Sequence, residues 1–212
     1  MKEEVFDIAI VGGGIVGSAT FYQLQKAFPS KKLVLIEKES KLAHHQTGNN
    51  SGVIHSGLYY TPGSKKAENC VNGRHELVKF AKDHRINHDI CGKVVVATSS
   101  SEISNLEKIL ENGIQNNFKG IERINADQIK EIEPEVAGVD GIWVPCTGII
   151  DFVDVTEKMI QVAIGTNSSS KVYTSTEVVN IEQGGYEKVI LCKNLKIKST
   201  FLIVCGGLQA DR

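Results

Sequence analysis

No run of about 18 consecutive apolar residues occurs in the chain, so no transmembrane helix is expected. Cysteine pairing is missing too: Cys70, Cys91, Cys146, Cys192 and Cys205 are odd in number and scattered, without a Cys-x-x-Cys pair or zinc-like spacing. That pattern points to reduced thiols and a cytoplasmic setting rather than a disulfide framework. An excess of one charge is lacking as well. Twenty-four Lys and Arg stand against 25 Asp and Glu, a formal charge of -1, so no global field draws the chain to nucleic acid or an anionic membrane. Secretion is disfavoured, because Glu3, Glu4 and Asp7 precede the uncharged stretch from Ile8 to Phe21, where a signal peptide carries positive charge. There is no low-complexity segment. The 212 residues are 41% hydrophobic and 23% charged, ordinary usage for a globular chain.

Hydrophobic patterning predicts an α/β fold. Val5–Val11 is a short apolar run rich in β-branched residues that stops at Gly12-Gly13-Gly14, as a buried parallel strand would. A helix follows from Ile15 to Phe28, closed by Pro29, and Leu33–Ile36 is a second buried strand ending in Glu37. His44 to Gly57 is a polar, glycine-rich loop of the kind that holds a ligand. Helices are expected over Lys66–Arg85, Glu102–Gln115, Ala126–Ile132 (capped by Asn125 and stopped before Pro134) and Val153–Ile164, with a strand over Lys93–Thr98. Gly141–Pro145 reads as an edge strand, because proline removes a ladder donor.

Beyond the Ser168-Ser169-Ser170 linker, Val172–Thr174, Val178–Glu182, Val189–Leu191 and Leu195–Ile197 suggest an antiparallel meander with a turn at Gly184-Gly185. Phe201–Cys205 repeats the buried-strand signature and meets Gly206-Gly207, where a covering helix should begin. So few residues remain after it that a fragment of a longer protein is expected.

Gly12-x-Gly14-x-x-Gly17 is a dinucleotide fingerprint in its proper setting, after a strand, opening a helix, and with an acid, Glu37, 20 positions beyond Gly17. Gly12 permits a tight turn, Gly14 lets backbone approach a diphosphate, and Gly17 lets helix pack on strand. Helix-start N–H groups then hold the anion without a basic side chain. Glu37 would accept from the ribose hydroxyls and repel a 2′-phosphate; the alternative is a solvated strand-end carboxylate beside Lys38. The fingerprint alone does not separate FAD from NAD, since both present adenosine diphosphate to the same turn.

The next loop, HQTGNNSGVIHSGLYY from His45 to Tyr60, resembles the flavin-contacting segment of the D-amino-acid oxidase and glycine oxidase superfamily, nearest to its L-2-hydroxyglutarate oxidase and dehydrogenase members. Tyr60–Ala67, Val144–Phe152 and Ile203–Asp211 look like the same family in order and spacing. The resemblance implies a Rossmann-like FAD-binding domain, with parallel sheet and antiparallel meander, from residues 1–90 and 150–212, and part of a substrate domain from 91–149. It implies FAD contacts at Gly12, Gly14, Ile15, Val16, Gly17, Glu37, Lys38, Thr47, Asn49, Asn50, Ser51, Gly52, Val53, Val178, Gly206 and Gly207.

The activity implied is oxidation of a small 2-hydroxy acid, L-2-hydroxyglutarate to 2-oxoglutarate, with oxygen or a quinone as acceptor, in a cytoplasmic enzyme with or without peripheral contact with the inner face of a membrane. The alternatives are an amine or amino-acid oxidase of the same superfamily, or a truncated or split FAD-binding fragment without activity of its own. His55 is the candidate base, with flavin packing, flavin hydrogen bonding or a covalent tether as its alternatives. Lys65, Lys66 and Arg74 are available cations that read equally as solvated helix charge, and Tyr59 and Tyr60 could close a pocket or pack in the core. His84, His88 and Asp89 suggest no more than ordinary surface residues, and no metal is expected.

Overall fold

A computed structural model describes residues 2–210. In chain order its elements are β1 (Lys2–Val11), α1 (Ile15–Ala27), β2 (Leu33–Ile36), β3 (Val53–Ile54), α2 (Lys65–His84), β4 (His88–Asp89), β5 (Lys93–Ala97) and α3 (Ile103–Gln115). β6 (Glu122–Asn125), α4 (Ala126–Ile132), β7 (Asp140–Val144), β8 (Gly148–Ile150), α5 (Phe152–Thr166), β9 (Lys171–Tyr173), β10 (Val178–Gly184), β11 (Glu187–Cys192) and β12 (Leu195–Val204) follow. They form two compact units: residues up to Ser51 together with those from Phe152 onward, and Gly52–Asp151. Among the described residues no helix is long and apolar enough to cross a membrane.

The first unit is built on a six-stranded sheet in the order β10-β11-β12-β1-β2-β9. β12, β1, β2 and β9 run parallel, while β10, β11 and β12 form an antiparallel meander. All four residues of β2 are buried, as a central parallel strand covered on both faces requires. Leu33 and Leu35 pack with Ile8, Ile10, Phe21 of α1 and Ile160 and Ala163 of α5. Val34 and Ile36 face the other way, onto Phe6, Ala9, Ile190 and Ile197. Gln25, fully buried on α1, donates to the carbonyls of Phe28, Pro29 and Lys31 and accepts from Ser170 Oγ at 2.7 Å. Ser170 Oγ in turn accepts from Leu33 N at 2.8 Å. The end of α1 is thereby tied to the starts of β2 and β9.

The second unit holds two three-stranded sheets, β3-β8-β4 and β5-β7-β6. Leu58, Ala97, Leu106, Phe118, Ile142 and Val144 form its core. Asn125 caps α4 in a reciprocal capping box with Gln128, and the helix ends at Ile132, before Pro134, as the spacing predicts.

Three expectations are corrected. Val172–Thr174 does not join the meander: β9 pairs with β2 in parallel, so the meander has three strands. Leu195–Ile197 and Phe201–Cys205 are not separate strands but parts of the single β12, whose first half pairs antiparallel with β11 while its length pairs parallel with β1. Gly141–Pro145 is no edge strand, because β7 lies between β5 and β6 and ends at Val144, leaving Pro145 outside the ladder. Among the described residues, a 3₁₀ turn over Gly207–Gln209 stands where a helix is expected to begin after Gly206. Asp211, which ends the last family-like stretch, lies outside the described residues.

Candidate nucleotide-binding site

The glycine fingerprint is a tight turn between β1 and α1 whose bare positions are filled by neighbouring backbone. Gly12 has φ +109°, a conformation that favours glycine, and a Cβ there would lie 2.3 Å from the Cys205 carbonyl oxygen. A Cβ on Gly17 would lie 1.9 Å from the Gly12 carbonyl oxygen, so helix and strand can approach this closely only without a side chain. Gly14 stands in extended conformation as N-cap of α1 with no side-chain cap, and the first helical turn contains no acid. Bare backbone, an N-cap residue that makes no side-chain cap bond and the positive end of a 13-residue helix fit a dinucleotide diphosphate.

Glu37 secures this turn from β2. Its carboxylate is buried, with Oε2 accepting from Gly13 N at 2.6 Å and Oε1 from Glu39 N at 2.8 Å. It is therefore not the solvated strand-end group considered as the alternative, and each oxygen retains a second lone pair. Gly13, the unassigned position inside the fingerprint, is closely covered: a Cβ would lie 2.6 Å from Leu42 Cδ2, so the leucine would have to shift. The loop after β2 folds back onto the turn through Ala43 N, which donates to Gly13 O at 3.0 Å, and through the buried Thr47, whose Oγ1 accepts from Ile15 N at 2.9 Å. Val16, on the first turn of α1, is 66% exposed, so its side chain lies on a surface rather than in the core.

Farther along the loop, Asn49 Nδ2 donates to the carbonyls of His44 and His45, at 3.1 and 2.7 Å, and Asn50 Nδ2 donates to Thr47 O. These amides shape the loop itself. Lys38 pairs with Glu39, which holds the Lys38 ammonium above its ordinary pKa and the Glu39 carboxyl below its own. His45 Nε2 lies 3.1 Å from Glu39 Oε1, and ligand atoms of Glu39, His44 and His45 gather within 4.8 Å of one another. Sequence reasoning missed this cluster, since no motif spacing links position 39 to 44.

Ser51 is exposed at the end of the first unit's loop, and Val178 opens β10 with its side chain against the Phe6 and Ile190 cluster. Gly206 and Gly207 follow β12, Gly207 at φ +60°, and Cys205 N donates to Val11 O at 2.7 Å, binding this segment to the glycine turn. Burial raises the Cys205 thiol pKa, as befits a packed strand residue rather than a nucleophile.

The remaining candidates belong to the second unit. Gly52, at φ +67°, accepts from Ile150 N at 2.8 Å, and Val53 pairs with Ile149 across β3 and β8. His55 follows β3 with an exposed side chain, and its carbonyl accepts from the Cys70 thiol at 3.6 Å. His84 packs on Phe80 with ring centroids 4.4 Å apart, whereas His88 lies beyond the left-handed cap at Arg85 and binds the Ile86 carbonyl through Nδ1. The two histidines therefore share no helix face. Arg74 Nη1 donates to Cys146 O at 3.5 Å and Lys65 pairs with Glu68.

Residues 7–212 match the model of the DAO family, described as FAD dependent oxidoreductase. Over 98% of its length the chain is 44% identical to an L-2-hydroxyglutarate dehydrogenase of Indibacter alkaliphilus and covers 51% of that protein. Among solved structures it is similar to dithionite-reduced L-α-glycerophosphate oxidase from Mycoplasma pneumoniae with FAD bound, at 26% identity and TM-score 0.80 over 94% of this chain and 53% of the other. Glycine oxidase from Geobacillus kaustophilus has the same fold over 98% of this chain and 57% of its own, at 19% identity and TM-score 0.87. The chain thus spans about half the length of the curated relatives it matches.

Proposed function

Because the chain belongs to the family of FAD-dependent oxidoreductases, we propose that it supplies the FAD-binding region and part of the substrate region of an enzyme that oxidises L-2-hydroxyglutarate to 2-oxoglutarate. The 44% identity to an L-2-hydroxyglutarate dehydrogenase across 98% of the chain carries this reading. The bare turn at Gly12, Gly14 and Gly17 supports the cofactor.

FAD, when bound, supplies the acceptor for the hydride leaving C2 of the substrate. Backbone N–H groups of the first turn of α1, at Val16 and Gly17, hold the diphosphate, and Glu37 receives ribose hydroxyls on its remaining lone pairs. Lys38, Thr47, Asn49, Asn50, Ser51, Gly52 and Val53 complete the cofactor contacts along the loop, with Ile15, Val178, Gly206 and Gly207. His55 accepts the proton of the C2 hydroxyl on its imidazole. The re-oxidant is oxygen or a quinone; a quinone acceptor would place the enzyme against the inner face of a membrane.

A protein of the relatives' full length that contains this sequence should purify yellow and lose its flavin absorbance when L-2-hydroxyglutarate is added without oxygen. Replacement His55→Gln should slow that reduction by about 10²- to 10⁴-fold, the usual contribution of a positioned base. A colourless protein that stays so with added FAD refutes the cofactor; a yellow one that L-2-hydroxyglutarate leaves oxidised refutes the substrate.

A further inference from the structure

In the second unit a half-buried cation and an exposed aromatic are held together by rigid neighbours. Lys93 opens β5, and its Nζ lies 4.7 Å from the ring centroid of Tyr59 and 3.4 Å from its hydroxyl oxygen, to which it donates. The backbone leading into Lys93 has little freedom. Gly92 stands at φ +75° against the Trp143 indole, where a Cβ would be 2.1 Å from a ring carbon, and its N–H donates to Thr147 O at 3.0 Å. Tyr59 is 55% exposed although Leu58 beside it is fully buried and Ser56 nearly so. Gly57, at φ +88°, is pressed against Cys70.

Most lysines with a fixed geometry here face an acid, as Lys65 faces Glu68 and Lys171 faces Glu4. Among the described residues Lys93 has no such partner. Its ammonium keeps N–H groups for an outside anion. Because it donates to the Tyr59 oxygen, the phenol hydrogen is directed away from it and is also free to donate. One point charge, one hydroxyl and the shielding face of one ring suit a carboxylate. A phosphate would call for more positive charge than this pair provides.

We propose that Lys93 and Tyr59 form a subsite for the distal carboxylate of a 2-hydroxy dicarboxylic acid, an inference that rests on the substrate reading above. His55 lies on the same loop, four residues before Tyr59. A proton acceptor for the hydroxyl at C2 and a holder for the far end of the substrate thus come from one short segment and the strand beside it. The similar pair of Lys66 over the Tyr60 ring, at 4.6 Å, differs in that Lys66 is an exposed residue in the first turn of α2 with no comparable anchoring.

The test uses the full-length flavoprotein and the variants Lys93→Met, Lys93→Arg, Tyr59→Phe and, as a control, Lys66→Met. KM and kcat for L-2-hydroxyglutarate are measured together with competitive inhibition by glutarate and by butyrate, which lacks the second carboxylate. Lys93→Met should raise KM and the glutarate inhibition constant about 10- to 100-fold, as loss of a charge-assisted hydrogen bond does. FAD content, kcat and the butyrate constant should stay within about threefold. Lys93→Arg should restore most of the loss, Tyr59→Phe should show a smaller one, and Lys66→Met should behave as wild type. An unchanged KM, or equal weakening of glutarate and butyrate, overturns the subsite while leaving the substrate assignment standing. A wild-type flavoprotein that L-2-hydroxyglutarate does not reduce removes the substrate reading and the subsite together.

Discussion

Replacing Glu37 by Gln tests whether one buried carboxylate organises the nucleotide turn. In the native chain both of its oxygens accept backbone N–H groups, from Gly13 at 2.6 Å and from Glu39 at 2.8 Å. A glutamine in the same rotamer offers one oxygen and one NH₂ group, so one of those N–H groups meets a donor. A charge-assisted hydrogen bond contributes about 1.5–3 kcal/mol, and a buried donor left without an acceptor costs about 1–3 kcal/mol. Some relaxation toward water is available, because Glu37 is 9% rather than 0% exposed, which sets the expected loss at about 2–4 kcal/mol. At roughly 2–4 °C per kcal/mol for a chain of this size, the melting temperature should fall by about 4–16 °C.

Differential scanning calorimetry without and with FAD separates the fold role from the ribose role. FAD at about 100 times its dissociation constant should stabilise the wild-type protein by about 2.7 kcal/mol, and the variant should gain much less at the same concentration. A melting temperature within about 1 °C of wild type would refute the turn-securing role. An equal gain from FAD in both proteins would refute the ribose role alone.

Glu4 predicts acid sensitivity. Lys171 and Lys2, with help from the Tyr173 hydroxyl, draw its carboxyl from the ordinary 4.5 down to about 2. A depressed folded-state pKa gives stability that is complete above the unfolded-state value and is lost as pH falls through the folded one. Chemical unfolding of the wild type should therefore weaken from about pH 4.5 to about 2, and Glu4→Gln should flatten that slope; identical slopes would contradict the assignment. Gln25→Leu leaves the buried Ser170 hydroxyl without its acceptor, while the carbonyls of Phe28, Pro29 and Lys31 keep Lys31 N or Asn167 Nδ2 as donors. Urea unfolding should register a loss of about 1–3 kcal/mol, and a neutral result would mean that water replaces the amide. Gly92→Ala places a methyl 2.1 Å from the Trp143 ring at a positive φ, with an expected cost of about 1–3 kcal/mol. A midpoint unchanged from wild type would show that the indole swings aside.

The parts legible in the sequence are those whose signal is local. A buried run, three spaced glycines and an acid at the next strand end specify β1, the turn, α1 and β2 within 37 residues, because each element's reason lies in its own neighbours. The capping box at Asn125 is legible for the same reason. What escaped depends on partners far away in the chain. Three residues, Lys171–Tyr173, carry no record of whether they pair with β10 or with β2, and only the fold's closing of Ser170 onto Leu33 and Gln25 selects the parallel choice.

β12 shows the same principle inside one strand. Lys198-Ser199-Thr200 reads as a polar break between the runs Leu195–Ile197 and Phe201–Cys205. In the sheet Lys196 and Lys198 form the outward face of a continuous strand, neutralised by Glu3 on β1 at 3.1 and 2.6 Å, while Leu195, Ile197 and Ser199 turn inward. The same alternation stops at Phe201, which is 64% exposed despite its apolar sequence signature. Hydrophobic pattern records which positions can be covered; the covering itself depends on elements that the local sequence does not contain. Asn49 and Asn50 donate to carbonyls of their own loop, a local contribution to its path. The preorganised part of the candidate site is thus its backbone, held by Glu37 and Thr47, and side-chain chemistry is added to a cradle that the glycines and those two residues have already shaped.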